Sequence, residues 1–507
     1  MKKIIRIIIV LLVFLSQAFV LLAQSDYEEW LKQEQQKIED YKSEQDRQFM
    51  KFLEEDWEQF QVFQGLKVDD TPKPTALPKA EPQPLQTTEK EKDHFVDEID
   101  IPEVQTKFKS PAEFLKPKPT TKEFQKVEKQ VEIQDTYSQP SKSESITIKA
   151  NFFEVPVELP DKSSLKVSLG GKASENSIAE YWKKISNAKY ESTLEALEEY
   201  KKNLSLNDWG YCVLVYKAGK TINGGNETDA RLFTWFMLNK SGYDCKVGYS
   251  GTDVYLLIPS KNSIFGAPYF TIGNDKYYVL MFDGSEPKLG SMYTYQGNYP
   301  GADKLIKLDL STLPVLWGDE DRQVKFSYGA KTYTITYTYN KNVVDFLQTY
   351  PHTSYTVYFR TPLMDQSYAS LVTQLKPILQ GKTKAEALNI LLRFVQTAFE
   401  YKTDQQQFGK EKALFAEETL YYPYSDCEDR SIIFAYLVHK LLDLDVIGLD
   451  YPGHIATAVK VPGVSGDYVI FNGAKYLVCD PTYINANVGM SMPRFKGVKP
   501  EVIQISS

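Results

Sequence analysis

The chain opens on an apolar run from Ile4 to Ala23, preceded by Lys2 and Lys3 and broken only by Arg6, Ser16 and Gln17, that turns polar at Gln24. A positive start, an apolar stretch and a small residue before a polar boundary predict a signal peptide over residues 1–23 and an exported product, periplasmic or secreted. Leu21, at the minus-three position, is larger than such sites favour, so membrane attachment through an uncleaved signal stays open. Cysteine is absent around the boundary, so no lipid anchor is expected there.

Residues 24–64 are dense in charge, and Phe49, Leu53, Trp57 and Phe60 follow at spacings of four, four and three. That spacing predicts one apolar stripe on an amphipathic helix. The stripe of residues 25–63 suits a protein partner, a membrane surface, self-association or packing on its own chain. Residues 65–145 carry ten of the 26 prolines, from Pro72 to Pro140, with no Gly or Trp between Thr71 and Ser145. They predict a disordered, semi-rigid linker.

Beyond the linker the periodicity changes. Residues 146–159 alternate as a strand, 179–204 read as helix, and 325–339 alternate about Gly329 as a hairpin. Helices are expected at 366–379 and 383–400, and one buried helix followed by several strands over 427–483. The class is α+β, with units at 146–300 and 361–507 joined by a β-rich connection at 301–360.

Composition narrows the function. With 507 residues, several cores are affordable. The net charge of −8 leaves no basic field for a phosphate backbone, so nucleic acid is not an expected partner. Four cysteines, 212, 245, 427 and 479, are too few for a disulfide scaffold, although a bridge between Cys212 and Cys245 is conceivable in an oxidising compartment. Neither metal nor organic cofactor is expected, because the Cys and His spacings fit no zinc pattern and no Gly-rich phosphate loop occurs.

The candidate chemistry lies near the carboxyl end. Ser425 and Glu428 have capping-box spacing before an apolar helix, which would put Cys427 in the first turn, where free amides favour a thiolate. Asp426, Glu428 and Asp429 oppose that charge, so a base is required. Of four histidines, His454 is the candidate: it follows the turn Tyr451-Pro-Gly453 and opens the small-residue strand Ile455 to Val459. Asp480 ends an apolar strand and is placed to accept from the far ring nitrogen of His454. The pattern is a Cys-His-Asp catalytic triad, with the Cys427 amide as an oxyanion donor and Tyr422 or Tyr424 as weaker second donors. Cys479, on the opposite strand face from Asp480, reads as core.

Residues 385–485 resemble the transglutaminase-like family: a helix, Asp-Cys at the next helix start, Gly-His before a strand, and Asp-Pro-Thr ending another. The chain departs from that pattern at Ser425, where the family commonly has Gly before Asp-Cys, and in lacking a Trp after His454. The resemblance implies a papain-like core at 361–507, with Cys427 as nucleophile, His454 as base and Asp480 as orienting acid. It implies amide-bond chemistry through a thioester on a peptide or protein substrate. A cysteine peptidase is the first expectation, a cross-linking acyltransferase the second, and a non-catalytic envelope scaffold a third.

A gapped echo of this segment occurs earlier. Thr228-Asp-Ala-Arg231 precedes an apolar helix as Cys427-Glu-Asp-Arg430 does, and Lys276 to Asp283 parallels the strand ending at Asp480. Residues 146–300 are thus a candidate degenerate transglutaminase-like copy. Thr228 stands at the nucleophile position, Asp253 or Val254 at the histidine position, and Asp283 alone survives of the triad. A substrate-binding or positioning role follows.

Overall fold

The structure, a computed structural model, describes residues 30–67, 73–74, 77–81, 147–160, 163–287 and 291–505. The expected signal peptide and most of the proline-rich linker lie outside these residues. The strands in chain order are β1 (Trp57–Gln61), β2 (Thr147–Phe152), β3 (Val155–Pro160), β4 (Lys246–Ser250), β5 (Asp253–Pro259), β6 (Tyr269–Ile272), β7 (Asp275–Val279) and β8 (Ser291–Tyr295). Then come β9 (Asp319–Tyr328), β10 (Lys331–Asn340), β11 (Glu400–Tyr401), β12 (Tyr424–Ser425), β13 (Val446–Tyr451), β14 (His454–Val459), β15 (Tyr468–Phe471), β16 (Ala474–Cys479) and β17 (Glu501–Gln504). The class is α+β, as the periodicity implies.

The first helix, α1, covers residues 30–55 and then stops. The stripe predicts continuation through Phe60, but the Trp57 indole N–H donates to the Leu53 carbonyl at 2.6 Å, satisfying an orphan group of the last turn, and the chain becomes β1. β1 pairs antiparallel with β8 at the edge of a six-stranded sheet, order β1-β8-β4-β5-β7-β6. The stripe packs on its own protein: the Phe49 ring lies 4.7 Å from Trp182 and 5.3 Å from Tyr299, and Leu53 is fully buried.

Helices α2 (Glu175–Ser186), α3 (Glu191–Asn203), α4 (Asp208–Ile222) and α5 (Glu227–Lys240) accompany this sheet. The expected single helix over 179–204 is two, because Asn187 to Tyr190 break the run between α2 and α3. The hairpin of β9 and β10 turns at Gly329, whose φ of +59° suits glycine. The connection is less β-rich than its composition suggests, since it also holds α6 (Lys341–Leu347) and α7 (Tyr355–Arg360).

The carboxyl region contains α8 (Asp365–Leu379), α9 (Lys384–Ala398), the short α10 (Asp404–Gln407) and α11 (Ala416–Tyr421), and the buried α12 (Cys427–Leu442). Its five-stranded sheet has the order β15-β16-β14-β13-β17. α12 carries apolar side chains nearly all round and fits between α9 and strands β13 and β14, so its first turn is fixed rigidly. Among the described residues no helix is long and apolar enough to cross a membrane.

The two regions share a local order. α5 is followed by β4, β5 and β7, with β5 paired to both neighbours; α12 is followed by β13, β14 and β16, with β14 in the same central place. Asp253 opens β5 opposite Ser250 as His454 opens β14 opposite Tyr451.

Three short stretches of the expected linker are docked, the first through the bridge of Leu66 to Phe265. Lys79 bridges Ile484, with the Ala80 amide donating to the Ile484 carbonyl at 2.8 Å, and Lys73 is buried among carboxylates. Hydrogen bonding and charge hold these short pieces where composition predicts free chain.

Candidate active site

Cys427 is the first residue of α12, and its helix cap differs in register from the expected one. Asp426, not Ser425, is the N-cap, and the Asp426 amide donates to Asp429 Oδ2 at 3.1 Å. Ser425 instead accepts from Arg430 Nε at 3.1 Å, while Arg430 Nη2 donates to the Phe399 carbonyl at 2.8 Å. The buried guanidinium thereby ties the first turn of α12 to the end of α9. Sliding the cap by one residue keeps Cys427 in the first turn, beside amides that no helical carbonyl satisfies.

Strand β14 meets this turn directly. The Ile455 amide donates to Cys427 Sγ at 3.5 Å, and Ser431 Oγ donates to the Ile455 carbonyl at 3.1 Å. His454, one residue earlier, is positioned by the Pro452-Gly453 turn, where Gly453 takes φ +68°. Its ring stacks on Phe495 at 4.9 Å and 6°. Its Nε2 hydrogen-bonds Asp480 Oδ2 at 2.9 Å, whereas Nδ1 is buried without a partner. Asp480 Oδ1 accepts from the amides of Thr482 at 2.9 Å and Tyr483 at 3.1 Å. A carboxylate so held accepts from His454, which leaves Nδ1 as the bare nitrogen.

Cys427 and His454 line one cavity of about 340 Å³, together with Lys67, Lys73, His352, Tyr355 and Tyr451. Tyr422 and Tyr424 are not among its lining residues. The Tyr422 hydroxyl accepts from Gln348, and the Tyr424 ring lies under Lys402. Cys212, Cys245 and Cys479 are free, buried thiols, so no bridge joins the first two.

The electrostatics are dominated by acid. Cys427 Sγ donates to Glu428 Oε2 at 3.1 Å. Burial pushes the thiol well up, Glu428 and Asp426 push the same way, and Lys73 with the Ile455 amide pulls back. Burial would also raise Glu428, but the Lys73 ammonium and hydrogen bonds hold it at about 2. Burial, helped by Glu428 and Asp429, raises Asp404 to about 9, and burial with Glu428 and Asp404 raises Asp426. Lys73 Nζ stands 2.7 Å from Glu411, 2.9 Å from Asp426 and 3.5 Å from Asp404, and also pairs with Glu428. It occupies the place a cation would take among these oxygens. Asp426 and Glu428 are visible in the sequence as charge opposing the thiol; the further acids Asp404 and Glu411, and Lys73 that neutralises the cluster, are not. His352, in irregular chain between α6 and α7, is half-buried at the cavity wall, and desolvation lowers it to about 4.

In the middle region Thr228 is the second residue of α5, and Arg231 reaches Asp283 at 3.6 Å and the Val254 carbonyl at 2.9 Å. Thr228, Asp253 or Val254, and Asp283 supply neither thiol nor imidazole. A second cavity of about 640 Å³, lined by Trp209, Tyr216, Phe282 and Tyr350, shares Phe265 and His352 with the first.

No protein-family model matches the chain, and comparisons with curated proteins and with solved structures returned no match.

Proposed function

We propose that the chain is an exported thiol hydrolase of the transglutaminase-like type that cleaves amide bonds in peptides or proteins through a Cys427 thioester. The observation that carries this reading is the His454 ring, bonded through Nε2 to Asp480 and bare at a buried Nδ1, on a residue that shares a cavity with Cys427 and precedes the amide touching its sulfur. Nδ1 takes the thiol proton, and the sulfur attacks the carbonyl carbon. The first-turn amide of Cys427 is suited to the resulting oxyanion. The imidazolium then protonates the leaving amine, the C–N bond breaks, and water, deprotonated by the same imidazole, hydrolyses the thioester.

A papain-like core is the finer reading of the fold, supported by the order of helix, paired strands, Cys, His and Asp. The middle region, with the same local order but no nucleophile or base at the matching positions, is read as a positioning domain. Its aromatic cavity adjoins the first and would hold a substrate segment beyond the scissile bond.

Alkylation by iodoacetamide under native conditions tests the site. Among the four cysteines Cys427 is expected to label first, at a rate that falls at least about tenfold in His454→Ala. Labelling of Cys427 no faster than Cys212, unaltered by His454→Ala, would remove the thiol reading.

A further inference from the structure

The residue that fills the acidic pocket beside Cys427 comes from far away in sequence, 353 positions before Asp426 and 331 before Asp404. Lys73 lies between Pro72 and Pro74, and its side chain is 9% exposed while those of Asp426 and Glu428 are fully buried. Chain on both sides of it is anchored to the two regions that supply the cavity walls. Before it, Leu66 bridges Phe265, Gly65 meets the Gly266 backbone so closely that a Cβ would come within 2.4 Å of its carbonyl carbon, and Lys67 lines the cavity. After it, residues 78–80 pair with Ile484, just beyond Asp480. A buried lysine whose described neighbours dock on both sides of it, at residues 65–67 and 78–80, has the form of a bound peptide side chain.

We propose, resting on the thiol-hydrolase reading, that Asp404, Glu411, Asp426 and Glu428 form a specificity pocket for a lysine side chain of a peptide substrate, which Lys73 fills as an intramolecular pseudosubstrate. Three features support it. Four carboxylates along residues 404–428 converge on one nitrogen, Asp404, Glu411 and Asp426 at 2.7 to 3.5 Å and Glu428 in direct contact, a geometry that suits a compact ammonium better than a planar guanidinium. Asp426 meets the ammonium through Oδ2 at 2.9 Å and its carboxyl also hydrogen-bonds Glu428, so the oxygens around the nitrogen form one connected cluster. Glu428 touches both the ammonium and the Cys427 sulfur, so a lysine seated there brings its own backbone to the cavity that holds the nucleophile.

The pocket recognises the amine and does not activate it. The carboxylates outweigh the effect of burial and hold Lys73 protonated, and an ammonium has no lone pair with which to attack a thioester. A lysine in this pocket is therefore a specificity element of the substrate and not an acyl acceptor. Lys73 also keeps the chain latent, since substrate lysine and Lys73 compete for the same oxygens.

Binding tests this without turnover. In Cys427→Ala and in the double variant Cys427→Ala/Lys73→Ala, affinity is measured for a synthetic peptide of residues 66–81 and for the same peptide with norleucine at position 73. The lysine peptide is expected to bind the double variant on the order of 100-fold more tightly than the norleucine peptide, because removing one partner strands buried carboxylates. It is expected to bind Cys427→Ala, where Lys73 remains, at least about tenfold more weakly than the double variant. Equal affinity for the two peptides, or no binding to a folded double variant, overturns the proposal. Should the double variant not fold, acetylation of the unmodified chain decides: Lys73 is expected to react at least about tenfold more slowly than the exposed Lys37, and equal rates overturn it. Lysine-selective binding by a protein that never hydrolyses a peptide would sink the thiol reading while leaving the pocket intact.

Discussion

His454 Nε2 and Asp480 Oδ2 are 2.9 Å apart, and this bond decides which imidazole nitrogen is free to meet a thiol. Asp480→Asn would offer the ring an amide that supports either tautomer. Turnover in that variant is expected to fall by roughly 10² to 10⁴, with the melting temperature within a few degrees of the parent. Initial rates and thermal unfolding, measured on the same preparation, check it. A proportionate loss of stability and activity would instead give Asp480 a purely structural part.

The stripe of α1 is integral to the fold. Phe49 packs against Trp182, Trp235, Tyr295 and Tyr299, so Phe49→Ala is expected to cost about 3–5 kcal/mol of stability. Denaturant unfolding measures it. A change below about 1 kcal/mol would free the stripe for an outside partner.

Glu417 gives a pH dependence with a definite sign. It is fully buried and accepts from the amides of Asn340 and Met364 and from Ser367 Oγ, yet burial outweighs these bonds and raises it from 4.5 to about 7. Between those values the unfolded chain has released the proton and the folded chain retains it, so stability falls as pH rises through the window. The loss amounts to about 3 kcal/mol at most, at about 1.4 kcal/mol per pH unit. Unfolding free energies of the parent and Glu417→Gln at pH 4.5 and 7.5 are expected to differ in slope by that amount, with the parent the steeper. Identical slopes would contradict it.

Gly466 and Gly489 approach backbone to backbone, and a Cβ on Gly466 would lie 2.4 Å from Gly489 Cα. Neither atom can swing aside as a side-chain end does, so the loop after Asp480 must shift. Gly466→Ala is expected to lower stability by about 1–3 kcal/mol, read by denaturant unfolding. A neutral result would contradict the packing of this loop.

Much of the carboxyl region was legible because its signals are local. A helix-start pattern precedes Cys427, a Pro-Gly turn precedes His454, and Asp480 follows an apolar strand, so each falls at an element boundary that neighbouring residues specify. The cap itself slipped from Ser425 to Asp426, since two adjacent residues with suitable side chains each have an acid three positions on. β1 was misread because Trp57 and Phe60 keep helical spacing, while pairing with β8 is a tertiary event. Lys73 was illegible for the same reason in stronger form: its partners lie more than 300 residues away, and nothing in Pro-Lys-Pro announces a buried cation.

The most direct measurement is proteolysis of a pool of denatured proteins and short peptides, read by mass spectrometry, using the purified chain and its Lys73→Ala variant, each beside a Cys427→Ala control. Cleavage products are expected from the chains that carry Cys427, more abundantly from Lys73→Ala, and from neither control. Products that persist without Cys427, or none from any chain, would contradict a thiol hydrolase.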